Sequence, residues 1–104
     1  MLYAKMLEEE VKPMRLIDVV LEVERILKEN NITWRYVSSR NTRTFILEDG
    51  TNTVITMRFD SFLETYFIHA TKPIEGKAEL QSNYWIVYDV MSINDIIEEI
   101  IGTL

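Results

Sequence analysis

Residues 33–61 read TWRYVSSRNTRTFILEDGTNTVITMRFDS, three strand-like segments joined by two short turns. Apolar and polar side chains alternate through Thr33–Ser38, Arg43–Glu48 and Thr53–Phe59, the period of a half-buried strand. Ser39-Arg40-Asn41-Thr42 forms a polar turn between the first two strands. Glu48–Asn52 carries Asp49-Gly50, a strong hairpin signal, before the third. Asp60-Ser61 marks the next turn. Strands joined by such short connections pair antiparallel.

Phe62–Ala70 and Asn83–Val90 continue the pattern as fourth and fifth strands. The loop Lys72–Lys77 separates them, and Leu80 belongs either to that loop or to the start of the fifth strand. On both flanks the period becomes helical. Leu16, Val20, Val23 and Leu27, joined by Ile17 and Ile26, predict a helix over 14–29. Asn30-Asn31 is its stop, because asparagine tolerates the left-handed cap conformation. Ile93, Ile96, Ile97, Ile100 and Ile101 predict a closing helix, with Ser92 as N-cap, Asp95 completing a weak capping box, and Gly102 at the end. Residues 2–12 form either a short helix or a loose arm before Pro13.

The expected architecture is α+β. It is a two-layer sandwich in which an antiparallel five-stranded meander is flanked in sequence by an N-terminal and a C-terminal helix, both packed on one sheet face. One domain is expected to span residues 1–104, with 1–13 as an N-terminal arm or short helix. The order of elements resembles that of kinase-associated-1 domains, through the Ile26–Val37 stretch and the closing Ser92–Leu104 helix. The likeness is one of layout. Such domains often present basic patches to anionic lipids, which the resemblance would imply here and the charge of this chain opposes.

The 104 residues carry 17 acidic and 11 basic side chains, for a net charge of −6. The balance is uneven. Residues 31–60 are net +1 through Arg35, Arg40, Arg43 and Arg58, whereas 61–104 are net −5. The absence of cysteine excludes zinc–thiolate sites, thiol nucleophiles and disulfides. Three glycines, with no GxGxxG or GxxxxGK[ST] pattern, exclude a Rossmann or P-loop nucleotide site. No cofactor or metal is expected. No apolar run reaches the ~18–20 residues of a membrane span, and the first residues lack the pattern of a signal peptide. A cytoplasmic protein that does not engage membranes is therefore expected.

Three sets of residues carry chemistry. In the first hairpin, Trp34, Tyr36 and Phe45 interleave with Arg35, Arg40 and Arg43, with no acid between Ile32 and Leu47. Stacking rings beside guanidinium groups suit single-stranded nucleic acid. Strand alternation, however, sends Trp34 and Tyr36 to one face and Arg35 to the other. The fifth strand holds Tyr84 and Tyr88 on one face and Trp85 on the other, and exposed tyrosine and tryptophan anchor protein partners. His69 is the lone histidine, and with Asp60 and Glu64 it would be the nucleus of any acid–base site.

The leading expectation is a non-enzymatic interaction or assembly domain. It self-associates as a dimer, or binds another protein, through Trp34, Tyr36, Tyr84, Trp85 and Tyr88, with Arg35 and Arg43 pairing charges at the rim. A nucleic-acid binder using hairpin 33–47 and a small enzyme built on His69 are the alternatives.

Overall fold

The computed structural model describes residues 14–74 and 76–102. The order is α1 (Leu16–Glu29), β1 (Trp34–Ser38), β2 (Thr42–Leu47), β3 (Val54–Asp60), β4 (Thr65–Pro73), β5 (Leu80–Val87) and α2 (Val90–Ile101). The arm proposed for residues 1–13 lies outside the described residues. The strands form one sheet in sequence order, β1-β2-β3-β4-β5, with every neighbouring pair antiparallel. This is the expected α+β meander between two helices.

Register assigns each side chain to a face. Trp34 pairs with Leu47, Tyr36 with Phe45, Phe45 with Ile55, Ile55 with Ala70, and Ile68 with Trp85. These residues point to the helices. Val19, Val23, Ile26 and Leu27 of α1 and Ile93, Ile96, Ile97 and Ile100 of α2 meet Phe45, Ile55, Met57 and Ile68 in one buried cluster. Each such side chain contributes roughly 1.5–3 kcal/mol when fully buried. Both helices therefore sit on one face. Ile17 departs from the expected stripe and is exposed, because one residue along a helix is a ~100° rotation away from Leu16.

The helix ends explain where the strands begin. After Asn30, the Asn31 N–H donates to Lys28 O and the Ile32 N–H to Leu27 O, with Asn31 at φ 58°. This is a Schellman closure with asparagine in the left-handed position. Ile32 then packs against the core that holds Leu27. At α2 the expected N-cap is corrected. Asp89, not Ser92, is the cap: its carboxylate accepts the Ser92 N–H at 2.7 Å, and the Ser92 side chain faces back to the Asp89 backbone. A reciprocal box built three residues earlier makes Val90 and Met91 helical.

Two strand boundaries shift as well. The Asp60 carboxylate accepts the N–H groups of Phe62 and Leu63, both at 2.9 Å. That turn delays β4 to Thr65, and β4 then runs on to Pro73. β5 starts at Leu80 and stops at Val87, because Asp89 already serves the next helix. Tyr88 is therefore not a strand residue.

Candidate interaction surface

The side of the sheet away from the helices is bare among the described residues. Strand pairing arranges it in rows. Arg35, Ile46, Val54, Thr71 and Ser82 form one row; Val37, Thr44, Thr56, His69 and Tyr84 form the next; Thr42, Arg58, Phe67 and Ile86 form a third. Tyr84 is 62% exposed and Ile86 43%, with Leu80 at 60% beside them on the same strand. Three apolar side chains on one face of a border strand, at positions 80, 84 and 86, thus face solvent.

Specific contacts organise this face. The His69 ring lies flat on the Tyr84 ring, with centroids 4.0 Å apart and planes 5° from parallel. Its Nε2 is 2.6 Å from the Ser82 Oγ. The Arg58 guanidinium stands 5.3 Å over the Phe67 ring and 3.8 Å from the Asp60 carboxylate. Thr44 and Thr56 hydroxyls meet at 3.4 Å across β2 and β3. Exposed ion and cation–π pairs of this kind contribute little to stability, on the order of 1 kcal/mol or less. Their effect is to fix the side chains in one arrangement.

The residues singled out in the sequence divide between the two faces. Trp34 packs edge-on against Phe45, with centroids 5.6 Å apart at 84°. Tyr36 leans on the same ring at 5.3 Å and stays half-exposed. Trp85 is partly buried against the core, and its indole N–H donates to Glu99 Oε2 at 3.2 Å. These three belong to the helix side. The Arg43 guanidinium donates to the carbonyls of Ser39 and Thr42 and so ties down the first turn. Arg35 and Tyr84 alone among them lie on the open face. Tyr88 is exposed near Met14, Phe59 and Tyr66 at one end of the molecule.

The first hairpin consequently sends Arg35 to the face away from its rings, while Arg43, on the ring side, is engaged by the turn carbonyls. His69, Asp60 and Glu64 are not brought together. Asp60 caps the β3–β4 turn, while His69 sits nine residues further on, within β4, against Ser82 and Tyr84. No group of three metal-ligating side chains occurs among the described residues. A cleft lined by Lys72, Gln81, Asn83 and Glu99 encloses about 130 Å³, and wider depressions of about 640 and 370 Å³ lie beside Met91 and Asp95 and beside Phe59 and Tyr88. No helix is long and apolar enough to cross a membrane among the described residues.

Sequence reasoning named Tyr84 and His69 separately but missed their pairing and the neighbours Leu80, Ile86 and Phe67. The available signal was parity. Once Ile68 is assigned to the core, Phe67 and His69 must take the other face. Which β5 residue stands opposite His69 depends on register, and the loop between β4 and β5 does not encode that.

No family model, curated protein or solved structure matches the chain. The likeness to kinase-associated-1 domains is therefore one of element order.

Proposed function

We propose that the protein is a non-enzymatic assembly domain that associates with a second polypeptide, in the first place with itself, through the open side of its sheet. One observation carries this reading: Leu80, Tyr84 and Ile86 are large, apolar and exposed together on the border of a face that no described element covers. Water-exposed apolar surface gathered in one place is what an interface buries. Helices already cover the other face, so the core does not need these side chains. Sedimentation equilibrium over a hundredfold range of concentration tests the reading. A dimer that forms with concentration and is weakened by Tyr84→Glu supports it. A monomer throughout the range removes it.

A second reading rests on the chemistry of the same face. The His69–Tyr84 stack lies with Arg35 and Arg58 on the open side, and rings with guanidinium groups bind single-stranded nucleic acid. The net charge of −6 opposes it. Anisotropy of a labelled single strand at low and moderate salt checks it. Binding that falls steeply with salt and is lost in Arg35→Ala supports nucleic acid. An unchanged signal at both salts leaves the face to protein.

A further inference from the structure

We infer that β5 is a pairing strand for a second copy of this chain, joining two five-stranded sheets antiparallel about a two-fold axis at Asn83. The inference rests on the self-association reading above and adds its geometry.

Alternate backbone groups of β5 are free at the border of the sheet. The Ile74 N–H donates to Glu79 O at 3.4 Å, in register with the Pro73–Leu80 pair beyond it. Antiparallel ladders alternate hydrogen-bonded and non-hydrogen-bonded pairs. Lys72–Gln81, Ala70–Asn83, Ile68–Trp85 and Tyr66–Val87 are therefore the bonded pairs of β4 and β5. Pro73, which has no N–H, falls in a non-bonded pair, as it must. The N–H and C=O groups of Leu80, Ser82, Tyr84 and Ile86 consequently point away from β4, to the outer border. No strand covers that border among the described residues. The same four residues carry the open-face side chains, so one strand offers backbone pairing and apolar contact together.

Charge selects the occupant. The eight residues of β5, LQSNYWIV, contain no charged side chain, no proline and no glycine. Border strands normally guard against pairing with lysine, proline or a bulge, and β5 has none of these. Two copies can lie side by side without setting like charges against each other. The opposite border differs. β1 has five residues, and Glu48 N–H→Thr33 O and Ser39 N–H→Thr42 O leave Trp34, Tyr36 and Ser38 with outward groups. Arg35 lies within that strand, with Arg40 and Arg43 beside it, so self-pairing there would bring guanidinium groups together.

The register follows from matching the free groups. Centring the two-fold axis on Asn83 sets Ser82 against the partner's Tyr84 and Leu80 against the partner's Ile86. All four outward residues of each strand are then used, giving roughly eight interchain hydrogen bonds. Leu80 and Ile86 bury each other at both ends of the seam, and the open faces of the two copies become continuous. Any other centre leaves outward groups unpaired.

The test uses the absence of cysteine from the chain. At the axis Asn83 meets its own copy in a non-hydrogen-bonded pair, where Cα atoms stand about 4.5 Å apart, within disulfide reach. Asn83→Cys should form a covalent dimer under mild oxidation with diamide at micromolar protein, seen on a non-reducing gel. Ser38→Cys on the β1 border should not. Ser82→Pro removes an outward N–H and no bond to β4, so it should weaken the sedimentation dimer about tenfold or more while the thermal melt stays cooperative. If Ser82→Pro does not fold, the cysteine pair decides alone. A wild-type dimer without crosslinking in Asn83→Cys, or with equal crosslinking in Ser38→Cys, overturns β5 pairing and leaves self-association standing. A wild-type monomer at all concentrations overturns both.

Discussion

On the helix side of the sheet, Phe45 touches Trp34 and Tyr36 and is shut away from water. On the opposite side, Tyr84 touches His69 and is more than half exposed. Both rings sit in the middle of strands, and both have an aromatic cross-strand neighbour. The difference is the layer above them. Isoleucine and valine from two helices cover Phe45, whereas nothing described covers Tyr84. Aromatic content alone therefore says little about role, because the same residue type holds the fold on one face and is left over on the other. What separates the two is the parity of each strand and the side the helices choose.

The largest expected effect breaks the inner face. Phe45→Ala should destabilise the protein by about 3–5 kcal/mol in urea unfolding, through lost burial and the cavity left between Trp34 and Tyr36. A loss below about 1 kcal/mol would mean that Phe45 is not central to the packing. Next comes the cap that holds α2 over this face. Asp89→Ala removes the acceptor for the Ser92 N–H and should cost about 1 kcal/mol, lowering the melting temperature by about 4–8 °C. An unchanged melt would show that α2 stays in place by packing alone.

On the open face the expectation reverses. Tyr84→Ala should leave the unfolding free energy of the monomer within about 1 kcal/mol of wild type, while weakening self-association. A large stability loss would make Tyr84 a structural residue and remove the contrast between the faces. The smallest effect concerns the β2–β3 turn. Burial pushes the Asp49 carboxyl up, but hydrogen bonds from the Thr51 hydroxyl and backbone N–H outweigh it and leave the group below the usual carboxylate range. A group depressed in the folded state contributes stability above its unfolded value, and loses it as pH falls through the folded value. Asp49→Asn should therefore lower stability slightly at neutral pH, flatten the acid limb of the stability curve, and converge on wild type once pH falls below the usual carboxylate range, about pH 4. An acid limb identical to wild type would place the sensitivity elsewhere.

The sheet and both helices are legible in the sequence because each has a clean period and clear punctuation. Asp49-Gly50 places the second hairpin, and Asn31 takes the left-handed position expected of it. The closing isoleucines define their own buried stripe. Boundaries fail where a side chain has two uses. Ser92 reads as a cap but completes a box begun by Asp89. Phe62 and Leu63 read as strand but donate their N–H groups to Asp60. The open face is half legible. Alternation separates Arg35 from Trp34 and Tyr36, yet the His69–Tyr84 pair depends on how β4 and β5 slide past each other.

The two helices have a consequence for synthesis. α1 is made before the sheet and α2 after it, yet both complete a single apolar interior with the sheet. Until the closing isoleucines emerge, the inner surface of a finished meander has only half its roof. The nascent chain therefore passes through a sticky interval between completion of the sheet and emergence of α2, and slow closure of α1 on α2 lengthens it. A chaperone that holds apolar strands would act in that interval, and truncation ahead of Ile93 would make it permanent.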